Sequence, residues 1–188
     1  VGGAAWLLGR NSQQQTVQRT ARALGSDVSF TVTGLNERAA NKAIDAALAE
    51  IETVEQTMSI YWPNSQLSLL NRERVLRQPH PYFVTVLQMA ERTARETGGA
   101  FDVTVQPLWQ LNSAAKRQNT IPTDAELATA MTKIDWRKVQ VTPSEVRLLE
   151  PVEAITLNGV AQGFALDRAI AALKANGAVN ALIDTGEI

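Results

Sequence analysis

The feature that most constrains this chain is an amphipathic run over residues 36–57, set directly behind an alternating segment at residues 27–33. Within the run, Ala40, Ile44, Ala47, Leu48, Ile51 and Val54 recur at three- and four-residue spacing. On a helix of 3.6 residues per turn that spacing makes one apolar stripe. Asn36 stands where an N-cap is needed, its side-chain oxygen able to accept from a first-turn amide. Ahead of it, Val28, Phe30 and Val32 alternate with Asp27, Ser29 and Thr31, the period of a half-buried strand, and Gly34 ends the segment. A strand feeding so long a helix predicts a fold of mixed α/β character.

At 188 residues the chain can bury a real core, and 45% apolar with 20% charged residues describes a globular protein rather than a disordered one. Eighteen basic and 19 acidic side chains leave a net charge of −1 with no basic stripe, which argues against nucleic acid as a partner. Cysteine is absent, so disulfides and thiolate metal sites are excluded, while the compartment stays open.

The first ten residues, VGGAAWLLGR, are too short to cross a bilayer and read as the tail of an export segment that lacks its basic start. A polar linker follows, so residues 1–20 are set apart from a domain at residues 21–188. Pro63 and Asn64 mark a turn, with Ser65 capping a short helix over residues 66–71. A second amphipathic helix is predicted over residues 83–96, with Phe83, Val86, Leu87, Ala90 and Ala94 inward and Gly98 and Gly99 as its stop. His80, the lone histidine, lies between two prolines and is assigned to an exposed loop without a role. Residues 100–109 read as a strand interrupted by Pro107, and residues 112–119 as a polar connector. Thr123 and Glu126 have capping-box spacing and open a short helix through Met131. A hairpin is expected over residues 139–149 around Pro143 and Ser144, and a last strand over residues 179–183. That strand runs into a glycine turn at the end of the sequence, an open edge that suggests a protein continuing beyond Ile188.

Chemistry concentrates in residues 154–167, AITLNGVAQGFALD. An extended apolar run turns through Asn158, a suitable cap, and Gly159 into a helical pattern from about Val160. Gly159 and Gly163 would let a ligand or another backbone come close. A glycine turn at a helix N-terminus attracts phosphate; equally, it is a common strand–helix junction with glycines for packing. Tyr61 and Trp62 stand before a turn, where they could stack on a flat ligand or simply pack. Asp102, beside Phe101 in an apolar stretch, needs a partner if buried: backbone amides, or the polar edge of a ligand.

Taken in order, ALGSDVSFTV, a long helix, MSIYWPNSQLSLLN, TGGAFDVTVQPLW, LNGVAQGFALD and ALIDTGEI resemble the FAD:protein FMN transferases, the ApbE family, from about Ala21 onward. The resemblance implies an α+β fold in which long amphipathic helices pack on a mainly antiparallel sheet. It implies Mg²⁺-dependent cleavage of FAD at its pyrophosphate. FMN would pass to a threonine of a partner flavoprotein, with release of AMP. It also implies a periplasmic location, or attachment by the N-terminus to the outer face of the bacterial inner membrane. By motif, Leu24 stands at a FAD-contacting methionine position, Tyr61 at the aromatic near the flavin, and Ala100, Phe101 and Asp102 at a segment touching FAD. Thr156 and Gln162 stand where many members have an acidic residue and a lysine, and Gly159 where a backbone oxygen meets the metal. The AQG and terminal GE variants resemble a branch associated with nitrous oxide reduction. Loss of the acid–lysine pair keeps a rival open, an exported flavin-binding accessory protein without transferase activity. A second rival is an exported small-ligand binding domain unrelated to flavin.

Overall fold

In the computed structural model, which describes residues 15–185, two antiparallel three-stranded sheets and six α-helices carry the regular structure. The chain divides into two units, Val1–Ala49 with Arg168–Ile188, and Glu50–Asp167. The mixed α/β character expected from the sequence is what forms, and both sheets are antiparallel throughout.

In the first unit, β1 (Thr16–Ala23), β2 (Ser26–Thr33) and β6 (Asn180–Asp184) pair in the order β1-β2-β6. Val28, Phe30 and Val32 are fully buried, as the alternation predicts, and Phe30 stands opposite Arg19 on one side and Ile183 on the other. Residues 16–20, expected as linker, belong to β1. This strand lies at the sheet edge with Thr16, Gln18, Thr20 and Arg22 exposed, so its sequence is polar while its backbone is held by β2. The proposed export remnant at residues 1–10 lies outside the described residues, as does the terminal Gly186-Glu187-Ile188. Helix α1 (Glu37–Met58) starts where expected, with Asn36 Oδ1 accepting from the Ala39 amide at 2.9 Å. It runs from the first unit into the second.

The second unit holds α2 (Gln66–Glu73), α3 (Pro81–Glu96), α4 (Gln106–Arg117), α5 (Asp124–Met131) and a sheet of β3 (Val75–Arg77), β4 (Val139–Val141) and β5 (Glu145–Leu148) in the order β3-β5-β4. Its core includes Leu67, Leu70, Phe83, Leu87, Ile155 and Leu157. The Thr123–Glu126 capping box, the β4–β5 hairpin and the Ser65 cap form as the sequence predicts. His80 is not a roleless loop residue: it is the N-cap of α3, with Nδ1 accepting from the Tyr82 amide at 3.2 Å. No strand forms over residues 100–109. A 3₁₀ turn at Val103–Val105 leads into α4, which also takes up most of the supposed connector after residue 112. Pro107 sits in the first turn of α4, where a missing N–H costs nothing because that amide has no partner within the helix. The last helix, α6 (Ala161–Ala175), begins in the second unit and ends in the first, where Gly177 closes it with φ of 86°. Among the described residues no helix is long and apolar enough to cross a membrane.

Candidate functional site

Residues 152–157 bury Val152, Ile155 and Leu157 fully, yet they join neither sheet. Their backbone is satisfied from two other places. Asn71 on α2 accepts from the Ile155 amide at 2.8 Å and donates to the Ile155 carbonyl at 2.9 Å. The Thr156 amide donates to the Val103 carbonyl at 2.8 Å. This last bond ties the segment to the 3₁₀ turn that follows Ala100, Phe101 and Asp102.

After Leu157 the chain turns through Asn158, Gly159 and Val160 before α6 starts. Asn158 is therefore not the cap of α6; it lies in the turn ahead of the helix, and its amide donates to Thr156 Oγ1 at 3.3 Å. Within the turn the Val160 and Ala161 amides both donate to the Leu157 carbonyl. Gly159 lies against Phe101: a Cβ added there would sit 3.7 Å from the phenyl ring, an ordinary contact. Its backbone does not adopt the left-handed region, so neither strain nor protein packing demands glycine at this position. Gly163 is exposed on the first turn of α6, and a Cβ added there would have nothing within 4 Å.

Asp102 takes the protein-facing of its two sequence readings. Its Oδ1 accepts from the Thr104 amide at 2.8 Å and the Thr104 hydroxyl at 2.6 Å, and its Oδ2 accepts from the Trp136 amide at 3.2 Å. Trp136 in turn lies against Gly99, its indole N–H buried without a hydrogen-bond partner, and Arg137 stacks on its ring at 4.8 Å. The carboxylate thus fixes the shape of the Gly99–Asp102 segment. Phe101 remains half-buried, with its amide bonded to Thr97 Oγ1, and Ala100 is exposed.

Tyr61 is 70% exposed and Trp62 40% exposed, on the loop between α1 and α2. Among the described residues nothing covers most of the Tyr61 ring. The loop itself is tightly held. Ser65 Oγ donates to the Ser59 carbonyl at 2.5 Å and accepts from the Ser68 amide at 3.0 Å, while Ser59 Oγ accepts from the Tyr61 amide at 3.2 Å. The structure brings Ala100, Phe101, Asp102, Thr156 and Gly159 together, and Gln162 lies half-buried one residue into α6. Leu24 belongs to the other unit. There it occupies the first position of the β1–β2 turn with φ of 55°, followed by Gly25 at 79°. Two contributors were missed by sequence reasoning, Asn71 and Trp136. Asn71 was hidden because a polar residue on a short helix reads as solvent-facing, and Trp136 because nothing in its local pattern points to Gly99.

A divalent metal does not find a complete set of ligands here. Among the described residues no three His, Cys, Asp or Glu side chains gather to hold an ion. Asp102 has both oxygens engaged, and Glu153 pairs with Lys133 at 2.9 Å. The turn offers the Gly159 carbonyl and no carboxylate of its own. A separate cavity of about 410 Å³ lies beside α4 and α5, lined by Pro107, Leu111, Ala130 and Lys133 among others. None of the residues singled out from the sequence as site candidates lines it.

Residues 24–188 match the model of the ApbE family. A FAD:protein FMN transferase of Haemophilus influenzae is 29% identical over 166 residues, covering 83% of this chain and 46% of the relative. Another, from Vibrio cholerae, is 30% identical over 146 residues, covering 72% of this chain and 42% of the relative. The chain thus spans less than half the length of these curated relatives. The solved flavin transferase ApbE from Vibrio cholerae superposes with a TM-score of 0.79 at 23% identity, over 92% of this chain and 58% of that one, which establishes the shared fold.

Proposed function

The chain belongs to the ApbE family, and from that premise we propose that the protein is a FAD:protein FMN transferase, moving FMN from FAD onto an acceptor protein. The observation that carries this reading to particular residues is the apposition of two motifs distant in sequence. The Ala100–Asp102 segment and the Gly159 turn are joined by the bond from the Thr156 amide to Val103, with Phe101 against Gly159. A flat half-buried ring beside the glycine of a turn at the start of α6 suits a ligand with an aromatic end and a diphosphate. Tyr61 supplies a second ring face on the same unit.

The finer features are part of the same proposal: dependence on Mg²⁺, a threonine acceptor, release of AMP, and action in the periplasm or at the outer face of the inner membrane. Splitting a pyrophosphate gathers negative charge on the leaving AMP, and amides at a helix N-terminus favour such charge. This chain's residues bind and orient: Tyr61 and Phe101 the ring system, the Gly159 turn the diphosphate. Magnesium would supply charge neutralisation, and among the described residues no cluster of three His, Cys, Asp or Glu side chains stands ready to hold it.

Thr156 and Gln162, standing in place of the family's charged pair, favour one second reading: a flavin-binding accessory protein without transferase activity. Incubating the full-length protein with FAD, Mg²⁺ and a threonine-bearing acceptor domain separates the two. Covalently flavinylated acceptor by mass spectrometry, with AMP released in equal amount, supports the transferase. Tight FAD binding without AMP supports the accessory protein, and no FAD binding sinks both.

A further inference from the structure

We propose that α2 is a bracket that sets the spacing between the ring-holding and diphosphate-holding parts of the flavin site, with Ser65 and Asn71 as its positioning residues. The inference rests on the proposed function for the identity of the ligand, and on hydrogen bonds of this chain for the bracket. Ser65, 1% exposed, stands at the N-terminus of α2 and uses one hydroxyl twice. It caps the helix by accepting from the Ser68 amide, and it closes the Tyr61 loop by donating to the Ser59 carbonyl. Ser68 Oγ adds a second donor to the same carbonyl at 3.3 Å, and Ser59 Oγ holds the Tyr61 amide. Towards the other end, Asn71 acts as a substitute strand partner for Ile155, shortly before the Gly159 turn.

Both segments are therefore fastened to one eight-residue helix. A rigid helix rises about 1.5 Å per residue, so its two fastening points keep a fixed separation. The bonds also lie on different atoms from those that build the core. Leu67 and Leu70, both fully buried, pack α2 into the core, while the fastening is done by polar atoms of Ser65 and Asn71. A ligand gripped at two ends gains affinity only when both grips are correctly spaced, so loosening either fastening weakens binding of the whole.

The test uses the full-length protein and reads FAD affinity, kcat at saturating FAD, thermal midpoint and amide hydrogen exchange. Ser65→Ala and Asn71→Ala are expected to weaken FAD binding about tenfold each, from the loss of one or two hydrogen bonds that preorganise the site. Ser65→Thr, which keeps a hydroxyl, should restore most of the affinity. Ser59→Ala leaves the cap of α2 untouched and should still weaken FAD binding and speed exchange at the Tyr61 amide. Asn71→Ala should speed exchange at Ile155 ahead of the rest of the unit. In all of these kcat at saturating FAD should fall by less than about twofold, since the reacting atoms are not contacted. Unchanged FAD affinity in Ser59→Ala and Asn71→Ala overturns the bracket, and so does a fall in kcat with affinity unchanged. Failure of every variant to fold reduces α2 to a structural helix and overturns it equally. A wild-type protein that binds no FAD overturns the proposed function instead, while the exchange of Tyr61 and Ile155 still reports on the bracket.

Discussion

Asn71 and Ile155 are joined by a reciprocal pair of hydrogen bonds, side-chain amide to backbone amide, at 2.8 and 2.9 Å. The pair does for Ile155 what a neighbouring strand would do, and Ile155 is fully buried. Truncating Asn71 leaves a backbone donor and an acceptor shielded from water, each costing about 1–3 kcal/mol. Asn71→Ala is therefore expected to lower unfolding stability by about 2–4 kcal/mol, read as a drop in denaturant midpoint at constant slope. A loss below about 0.5 kcal/mol, the scatter of ordinary surface changes, would show that water replaces the side chain at no cost.

Gly159 and Gly163 should respond differently from structural glycines. A methyl on Gly159 meets only Phe101 at ordinary distance, and one on Gly163 meets nothing. In the absence of ligand, Gly163→Ala should stabilise α6 by roughly 0.5–1 kcal/mol through helix propensity. Gly159→Ala should leave the melting temperature nearly unchanged. With FAD present, Gly159→Ala is expected to weaken binding, because the space it fills is then the ligand's. Calorimetric melting with and without FAD reads both effects; a Gly159→Ala protein that melts early without ligand returns this glycine to a packing role.

The parts of the fold legible in the sequence were those whose burial is one-sided and strong. Val28, Phe30 and Val32 announced β2, and Ala40, Ile44 and Ile51 announced α1, because every second or every third-to-fourth position is fully buried. Thr123 with Glu126, and Ser65, announced their helices through capping chemistry that acts within a few residues. Strand β1 was not legible: its outward positions are Thr16, Gln18, Thr20 and Arg22, and only pairing with β2 makes it a strand. Val103 and Val105 suggested a strand by propensity, but Asp102 caps the turn there and Pro107 opens α4, so local capping overrode propensity. Of the candidate site, the glycine turn could be read locally, whereas the exposure of Tyr61 could not, since the sequence left both packing and ligand stacking open. The role of Asn71 could not, since its partner Ile155 is remote in sequence.

Tyr61→Ala separates ligand contact from folding. At 70% exposure the ring contributes little to the core, so the melting temperature should hold. FAD affinity should fall by about 1–3 kcal/mol, the range for stacking of a base on an aromatic side chain. Fluorescence titration of free flavin measures it, and an unchanged dissociation constant removes Tyr61 from the site.

Glu126 gives α5 a dependence on acid. Its carboxylate accepts from the Thr123 amide at 2.8 Å and the Thr123 hydroxyl at 2.7 Å, and these bonds hold its pKa below the ordinary glutamate value. A depressed folded-state pKa means that the contribution is present above the unfolded value and is lost as pH falls through the lower, folded one. Glu126→Gln should therefore lower the melting temperature slightly at pH 7, with the difference from wild type shrinking in acid. A difference that grows in acid instead would contradict the capping geometry.

Magnesium poses the sharpest test of how much of the site these residues carry. Mg²⁺ requires near-octahedral oxygen coordination and is held by carboxylates and phosphates, with water filling the remaining places. Near the Gly159 turn the acidic candidates are each occupied or misplaced. Asp102 spends both oxygens on Thr104 and Trp136, Glu153 is bound to Lys133, and Asp167 lies well along α6, exposed. Among the described residues no other cluster of acids or histidine offers an alternative. The described residues are therefore expected to supply no saturable Mg²⁺ site below roughly millimolar concentration in the absence of FAD. The proposed flavinylation is expected to require the ion, with EDTA abolishing it and added Mg²⁺ restoring it. Isothermal titration of residues 1–188 with MgCl₂ decides the first point. A micromolar site there would mean that one of Asp102, Glu153 or Asp167 leaves its present place to ligate the ion, and substituting each in turn would identify which.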